Sequence, residues 1–175
     1  MNPINLRHLT NHDQSEFEKA YRGFAKERDF EFVPSNQYQP SASFEHFLKL
    51  LAKQERGENL PPGFVAATWL FAFNDSGVIV GRVSIRHTLN DYLLKIGGHV
   101  GYGVLPEFRK LGYASEILKQ TLSYCKNKLA LTKILLTCDD NNQGSIRTIE
   151  KNGGILENTI LSSSNVLKRR YWINQ

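Results

Sequence analysis

The stretch that most constrains this chain is GHVGYGVLPEFRKLGYASEIL, residues 98–118. Apolar and glycine residues alternate over 98–105, which predicts a strand. Pro106 has no backbone N–H, so sheet pairing has to stop there. Helical spacing takes over at about 112–128, with Ala114, Ile117, Leu118, Thr121, Leu122 and Cys125 on one face. Between strand and helix stand Arg109, Lys110 and Gly112. The first turn of a helix leaves N–H groups without intrahelical acceptors and carries partial positive charge. Phosphate oxygens satisfy both. Gly112 lacks a Cβ, so an anion can approach its backbone, and Arg109 and Lys110 add full charge at the rim. Spacing alone fits a plain helix start with two solvated cations equally well. It excludes a Walker loop, since G-x-x-x-x-G-K-[ST] does not occur, and the dinucleotide fingerprint G-x-G-x-x-G fails at Pro106.

The rest of the chain supplies a sheet and helices around this unit. Residues 4–9 predict a short first strand. A helix over 15–29 has Phe17, Ala20, Tyr21 and Phe24 inward, with Ser15 and Glu18 placed as a capping pair. Pro34 and Pro40 make 30–42 a loop. A second helix covers about 43–56, with Phe44, Phe47, Leu48 and Leu51 on one face and the PPG at 61–63 as its stop. Strands at 64–73 and 78–87 flank a hairpin turn, NDSG. A strand at 133–139, a helix at 142–152 ended by Gly153 and Gly154, and strands at 155–161 and 165–173 complete an α/β order. The unit 98–105, helix, 133–138 predicts a parallel strand pair with a right-handed crossover.

The 175 residues fit one domain, 1–175. No apolar run is long enough to span a bilayer, and the first residues lack a signal-like apolar core, so a cytoplasmic protein is expected. Cys125 and Cys138 fit reduced core thiols and have no metal-site spacing. A formal charge of +5 permits a polyanionic ligand. The cations are scattered, however, so no nucleic-acid partner is expected.

VLPEFRKLGYA, residues 104–114, resembles motif A of the GCN5-related N-acetyltransferase (GNAT) superfamily, with Arg109, Gly112 and Ala114 in the signature places. NQGSIRTIEKNGG, residues 142–154, is similar to the next family helix through Asn142, Ser145 and Gly153. Ile149 stands where the family usually has tyrosine, and Gly154 where it has phenylalanine. GGHVGYGV and RRYWI resemble a subgroup of bacterial predicted acetyltransferases with unassigned substrates. The resemblance implies a mixed central sheet flanked by helices, with a splayed parallel strand pair that admits the pantetheine arm of acetyl-CoA. It implies a bulge in the glycine-bearing strand and pantetheine contacts near the Tyr102 and Val104 backbone. The pyrophosphate would be held by Arg109, Lys110, Leu111, Gly112, Tyr113 and Ala114. Asn142, Ser145 and Ile149 would approach the cofactor from the following helix, although Asn142 also fits an N-cap. A homodimer is common in the family.

The implied reaction is direct acetyl transfer from acetyl-CoA to a primary amine. An alkylamine has a pKa of about 10.4 and has to lose a proton first. His99 is the candidate base, standing where many relatives carry glutamate; a structural histidine is the alternative. With Ile149 unable to donate to the departing thiolate, Tyr102, Tyr113 and Tyr171 are the candidate donors. That substitution also leaves open a noncatalytic acyl-CoA-binding module. The acceptor is not readable, and Phe30, Phe32, Tyr38 and Trp172 are candidates to line its pocket.

Overall fold

The computed structural model describes residues 3–24, 31–33 and 38–175. Eleven elements appear in the expected order: β1 (Ile4–Arg7), α1 (Gln14–Phe24), α2 (Phe44–Arg56), β2 (Ala67–Asn74), β3 (Ile79–Arg86), β4 (Val100–Val104), α3 (Tyr113–Leu129), β5 (Lys133–Asp139), α4 (Gln143–Lys151), β6 (Ile155–Leu161) and β7 (Leu167–Asn174). The continuation of the first predicted helix beyond Phe24 lies outside the described residues, as does part of the proline-bearing loop.

Two helix boundaries fall elsewhere than expected, both for capping reasons. A short turn at Asn11–Asp13 precedes α1, and the cap is Thr10 with Asp13 rather than Ser15 with Glu18. The Asp13 carboxylate accepts from the Thr10 N–H at 2.7 Å and from Arg7 Nη2 at 2.7 Å. Arg7 first of all holds its pKa down at about 2. The stop of α2 is Gly57, φ 73°, rather than the later PPG.

The strands form two hydrogen-bonded ladders. One has the order β1-β2-β3-β4 and the other β5-β7-β6, all neighbours antiparallel. Helices cover both faces. On one side α3 and α4 bury Ile117, Leu118, Ile146 and Ile149 against Val83, Ile85, Ile134 and Tyr171, so this core bridges the two ladders. On the other, α1 and α2 enclose an aromatic core centred on Phe17, whose ring lies 5.0 Å from Phe47 and 5.7 Å from Phe71. Phe32 and Tyr38 belong to that core.

The parallel ladder expected between 98–105 and 133–138 is reduced to a seam. Among the described residues one backbone hydrogen bond crosses it, from His99 N–H to the Leu135 carbonyl at 2.8 Å. Gly98 makes the approach possible. It has φ 64°, and a Cβ there would stand 2.7 Å from the Leu135 oxygen. Beyond this point the two strands share no ladder, so one edge of β4 is left unpaired. The bulge expected in β4 is absent. Its register with β3 runs uninterrupted from Val100 opposite Ile85 to Val104 opposite Gly81.

Candidate active site

Three features are set around β4: the seam at its start, the turn into α3 after its end, and a cavity lined in part by Gly101 and by Gln54 of α2. Pro106 ends β4 in a single helical turn, Pro106–Phe108, and the chain then bends through two left-handed residues, Lys110 (φ 63°) and Gly112 (φ 88°). Residues 109–112 are exposed, whereas Tyr113 packs its ring edge-on against Phe108 at 6.0 Å and Ala114 leans on the core. The side chains of Tyr113 and Ala114 thus anchor the start of α3, while the residues just before it, 109–112, are exposed. Among the described residues, the N–H groups of 110–114 donate to no backbone carbonyl. Left-handed residues in such a turn gather successive N–H groups into an anion-binding concavity. A Cβ on Gly112 would meet nothing within 4 Å, so the space in front of it is open. Arg109 is more than a rim charge, since its Nε donates to the Val104 carbonyl at 3.1 Å and ties the loop to β4.

On α4, Asn142 is the N-cap, its Oδ1 accepting from Ser145 N–H at 3.0 Å. Ile149, expected to face the cofactor, is 1 % exposed and packed in the core with Ile146. The helix instead turns Ser145 and Thr148 toward Tyr102. The Tyr102 hydroxyl is buried near both of them but has no well-formed hydrogen bond among the described residues. Burial pushes it up to about 12, so it stays protonated. The other two candidate donors are placed differently. Tyr171 O–H donates to Glu150 at 3.2 Å, and Tyr113 is a packing residue.

His99 closes the seam. Its Nδ1 accepts the Leu135 N–H at 2.9 Å, so the neutral ring carries its proton on Nε2. Burial, and then the charge of Arg86, lowers the ring to about 4. A base needs a nitrogen free to accept, and here the free nitrogen is a donor. In this geometry Nδ1 is engaged by the Leu135 amide and links β4 to β5.

The lowered pKa has a consequence for stability. The folded state disfavours protonation relative to an unfolded histidine near 6.5. The contribution is therefore complete above about pH 6.5 and declines as pH falls toward 4, a loss of roughly 3 kcal/mol at most. Urea unfolding should show it between pH 7 and pH 4.5. In His99→Gln, which keeps an acceptor but does not titrate, that part of the slope should vanish.

The cavity, about 550 Å³, lies on the α1/α2 side of β3 and β4. Its wall includes Trp69, Arg82, Ser84, Arg86, Tyr92 and Gly101. Of the aromatics expected to line an acceptor pocket, Phe32 and Tyr38 are core residues, Trp172 packs 6.4 Å from the His99 ring, and Phe30 lies outside the described residues. Arg82 and Arg86 were not foreseen. The available signal was their spacing, Arg-x-Ser-x-Arg on one face of an otherwise apolar strand. Arg82 donates Nε to the Phe32 carbonyl at 2.6 Å, Nη2 to the Glu31 carbonyl at 2.8 Å and Nη1 to the Gly101 carbonyl at 2.9 Å, and stacks 5.0 Å over Trp69. Burial first, then Arg86, lowers it to about 9, which leaves it charged at neutral pH.

Among the described residues, no cluster of three or more His, Cys, Asp or Glu side chains could hold a metal, and no helix is long and apolar enough to cross a membrane. Cys125 and Cys138 are free and buried, and burial pushes their thiols up to about 12 and about 11.

A family model described as Acetyltransferase (GNAT) domain matches residues 4–155. No curated protein matches the sequence. Solved structures of similar fold include the spermidine N-acetyltransferase SpeG of Vibrio cholerae in complex with CoA and spermine, at 18% identity and TM-score 0.64, with 98% of this chain and 95% of that one covered. A chimera of SpeG from Vibrio cholerae and hSSAT matches with TM-score 0.67 at 18% identity, over 98% of this chain and 95% of that one.

Proposed function

Since this chain belongs to the GNAT acetyltransferase family, we propose that it is an acetyl-CoA-dependent N-acetyltransferase acting on a primary amine. The observation that carries the reading is the row of N–H groups at 110–114, which donate to no backbone carbonyl among the described residues, together with the unpaired edge of β4. One suits a pyrophosphate and the other an extended amide-bearing arm. The open space before Gly112 and the orphaned Tyr102 hydroxyl fit the same ligand. The SpeG structure, which holds CoA on a similar fold, supports the cosubstrate.

Acetyl-CoA supplies an activated acetyl group, whose C–S bond breaks as the C–N bond to the neutral amine forms, and the proton the nitrogen loses passes through solvent to the thiolate, giving CoA–SH. Residues 110–114 hold the diphosphate through backbone N–H groups, with Lys110 adding charge. Arg109 keeps the loop in register with β4. Tyr102 donates a hydrogen bond to the sulfur as charge develops on it, from a strand rather than from the helix where the family tyrosine stands. His99 holds β4 and β5 together at one end and leaves the other end open. The cationic wall of the cavity favours the neutral form of an incoming amine.

Titration calorimetry with acetyl-CoA, followed by CoA release on adding amines, tests this. Binding with turnover is expected. Binding without turnover of any amine would favour the noncatalytic acyl-CoA module, and no binding would overturn the reading.

A further inference from the structure

We propose that the acceptor is an amine that also carries a carboxylate, and that Arg86 binds that carboxylate. The inference rests on the acetyltransferase reading and narrows its substrate class. Arg86 ends β3 and turns into the cavity on the same face as Arg82 and Ser84. Its guanidinium lies over Gly101. A Cβ there would stand 3.1 Å from Nη1 and 3.5 Å from Nη2, so a side chain at this point of β4 would crowd Nη1. Among the described residues its hydrogen bond is a long one, 3.4 Å from Nη1 to the Gly97 carbonyl, and no carboxylate pairs with it. Burial lowers its pKa.

Placing a second guanidinium in a partly buried wall beside Arg82 is unfavourable, and among the described residues no carboxylate is hydrogen-bonded to Arg86, although Glu31 also lines the cavity. Arg82 already spans three carbonyls. Arg86 braces no comparable set, so its charge is directed at something that enters the cavity. A guanidinium presents a planar fork that matches a carboxylate with two parallel N–H···O bonds. A polyamine such as the spermine in the SpeG complex would bring further positive charge against the same wall. The cavity volume suits an amino acid or a short peptide, and Trp69 and Tyr92 offer apolar surface for its body.

The test pairs acceptors with and without the anion, compared per concentration of neutral amine: phenylalanine with phenylalaninamide, 4-aminobutyrate with its amide, and Phe-Gly with Phe-Gly amide, alongside spermidine. The free acids should show kcat/KM about 10- to 100-fold above their amides, the range of one charge-assisted pair. Arg86→Gln should erase the difference through KM, and Arg86→Lys should restore part of it. Direct binding provides a second readout. N-acetylphenylalanine should bind the wild-type protein more tightly than its amide by calorimetry, and equally weakly in Arg86→Gln. Equal use of acids and amides, preference for spermidine, or an unchanged ratio in Arg86→Gln would overturn the proposal while leaving the acetyltransferase reading intact. Failure of that reading would show separately, as loss of acetyl-CoA binding in the wild-type protein.

Discussion

Gly112→Glu should lose acetyl-CoA binding, with affinity falling at least about 100-fold. Two effects act together. Gly112 has φ 88°, a conformation that costs an L residue about 1–2 kcal/mol. The new carboxylate would also stand among the N–H groups of 110–114, satisfying them itself and repelling phosphate. Gly112→Ala separates the two. A methyl group there meets nothing within 4 Å, so it carries the backbone strain without the charge. It should lower the melting temperature slightly and weaken binding far less than glutamate does. Calorimetry on both folded variants decides, and equal affinity for Gly112→Glu and wild type would remove the phosphate site from the start of α3.

Tyr102→Phe should move activity and stability in opposite directions. If its hydroxyl donates to the departing sulfur, kcat should fall about 10- to 100-fold with little change in acetyl-CoA affinity. In the free protein the same hydroxyl is buried near Ser145 and Thr148 without a well-formed partner. Removing an unsatisfied buried donor should stabilise the fold by about 1 kcal/mol, or about 2–4 °C in Tm for a domain of this size. Steady-state kinetics and thermal melts check the two signs. A variant with full kcat would show that the sulfur departs without this hydroxyl.

Much of this could be read from the chain before its structure. Helices and strands followed their periodicities, because Phe44/Phe47/Leu48 and Ile117/Leu118/Thr121 repeat at helical spacing and the run at 64–73 is almost entirely apolar. The strand–proline–glycine–helix unit was placed correctly, since Pro106 and Gly112 each act through their own backbone. Side-chain assignments fared worse. Whether Ile149 faces a ligand or the core depends on how α4 rolls against α3, and that roll is set partly by contacts such as Asn152 Nδ2 to the Ser115 side chain at 3.2 Å, far apart in sequence. His99 was assigned by analogy of position, but its tautomer depends on the amide of Leu135, 36 residues away. Nothing in the alternation over 82–86 says which face is interior; Gln54 of α2 and Gly101, which line the cavity with Arg82 and Arg86, show that theirs is.

The seam at His99 also divides the molecule's response to thermal opening. Amides paired between β2 and β3 sit at the centre of a ladder and should exchange with solvent only through global unfolding. Those on the open edge of β4, next to a seam with one backbone–backbone hydrogen bond, should exchange through local opening. The apolar core shared by both ladders keeps this from becoming separate melting. The protein is thus a single cooperative body with one fast-exchanging line through it. A ligand that pairs along that line would slow exchange there first, registering its arrival in the backbone amides of Tyr102 and Val104 without a change of fold.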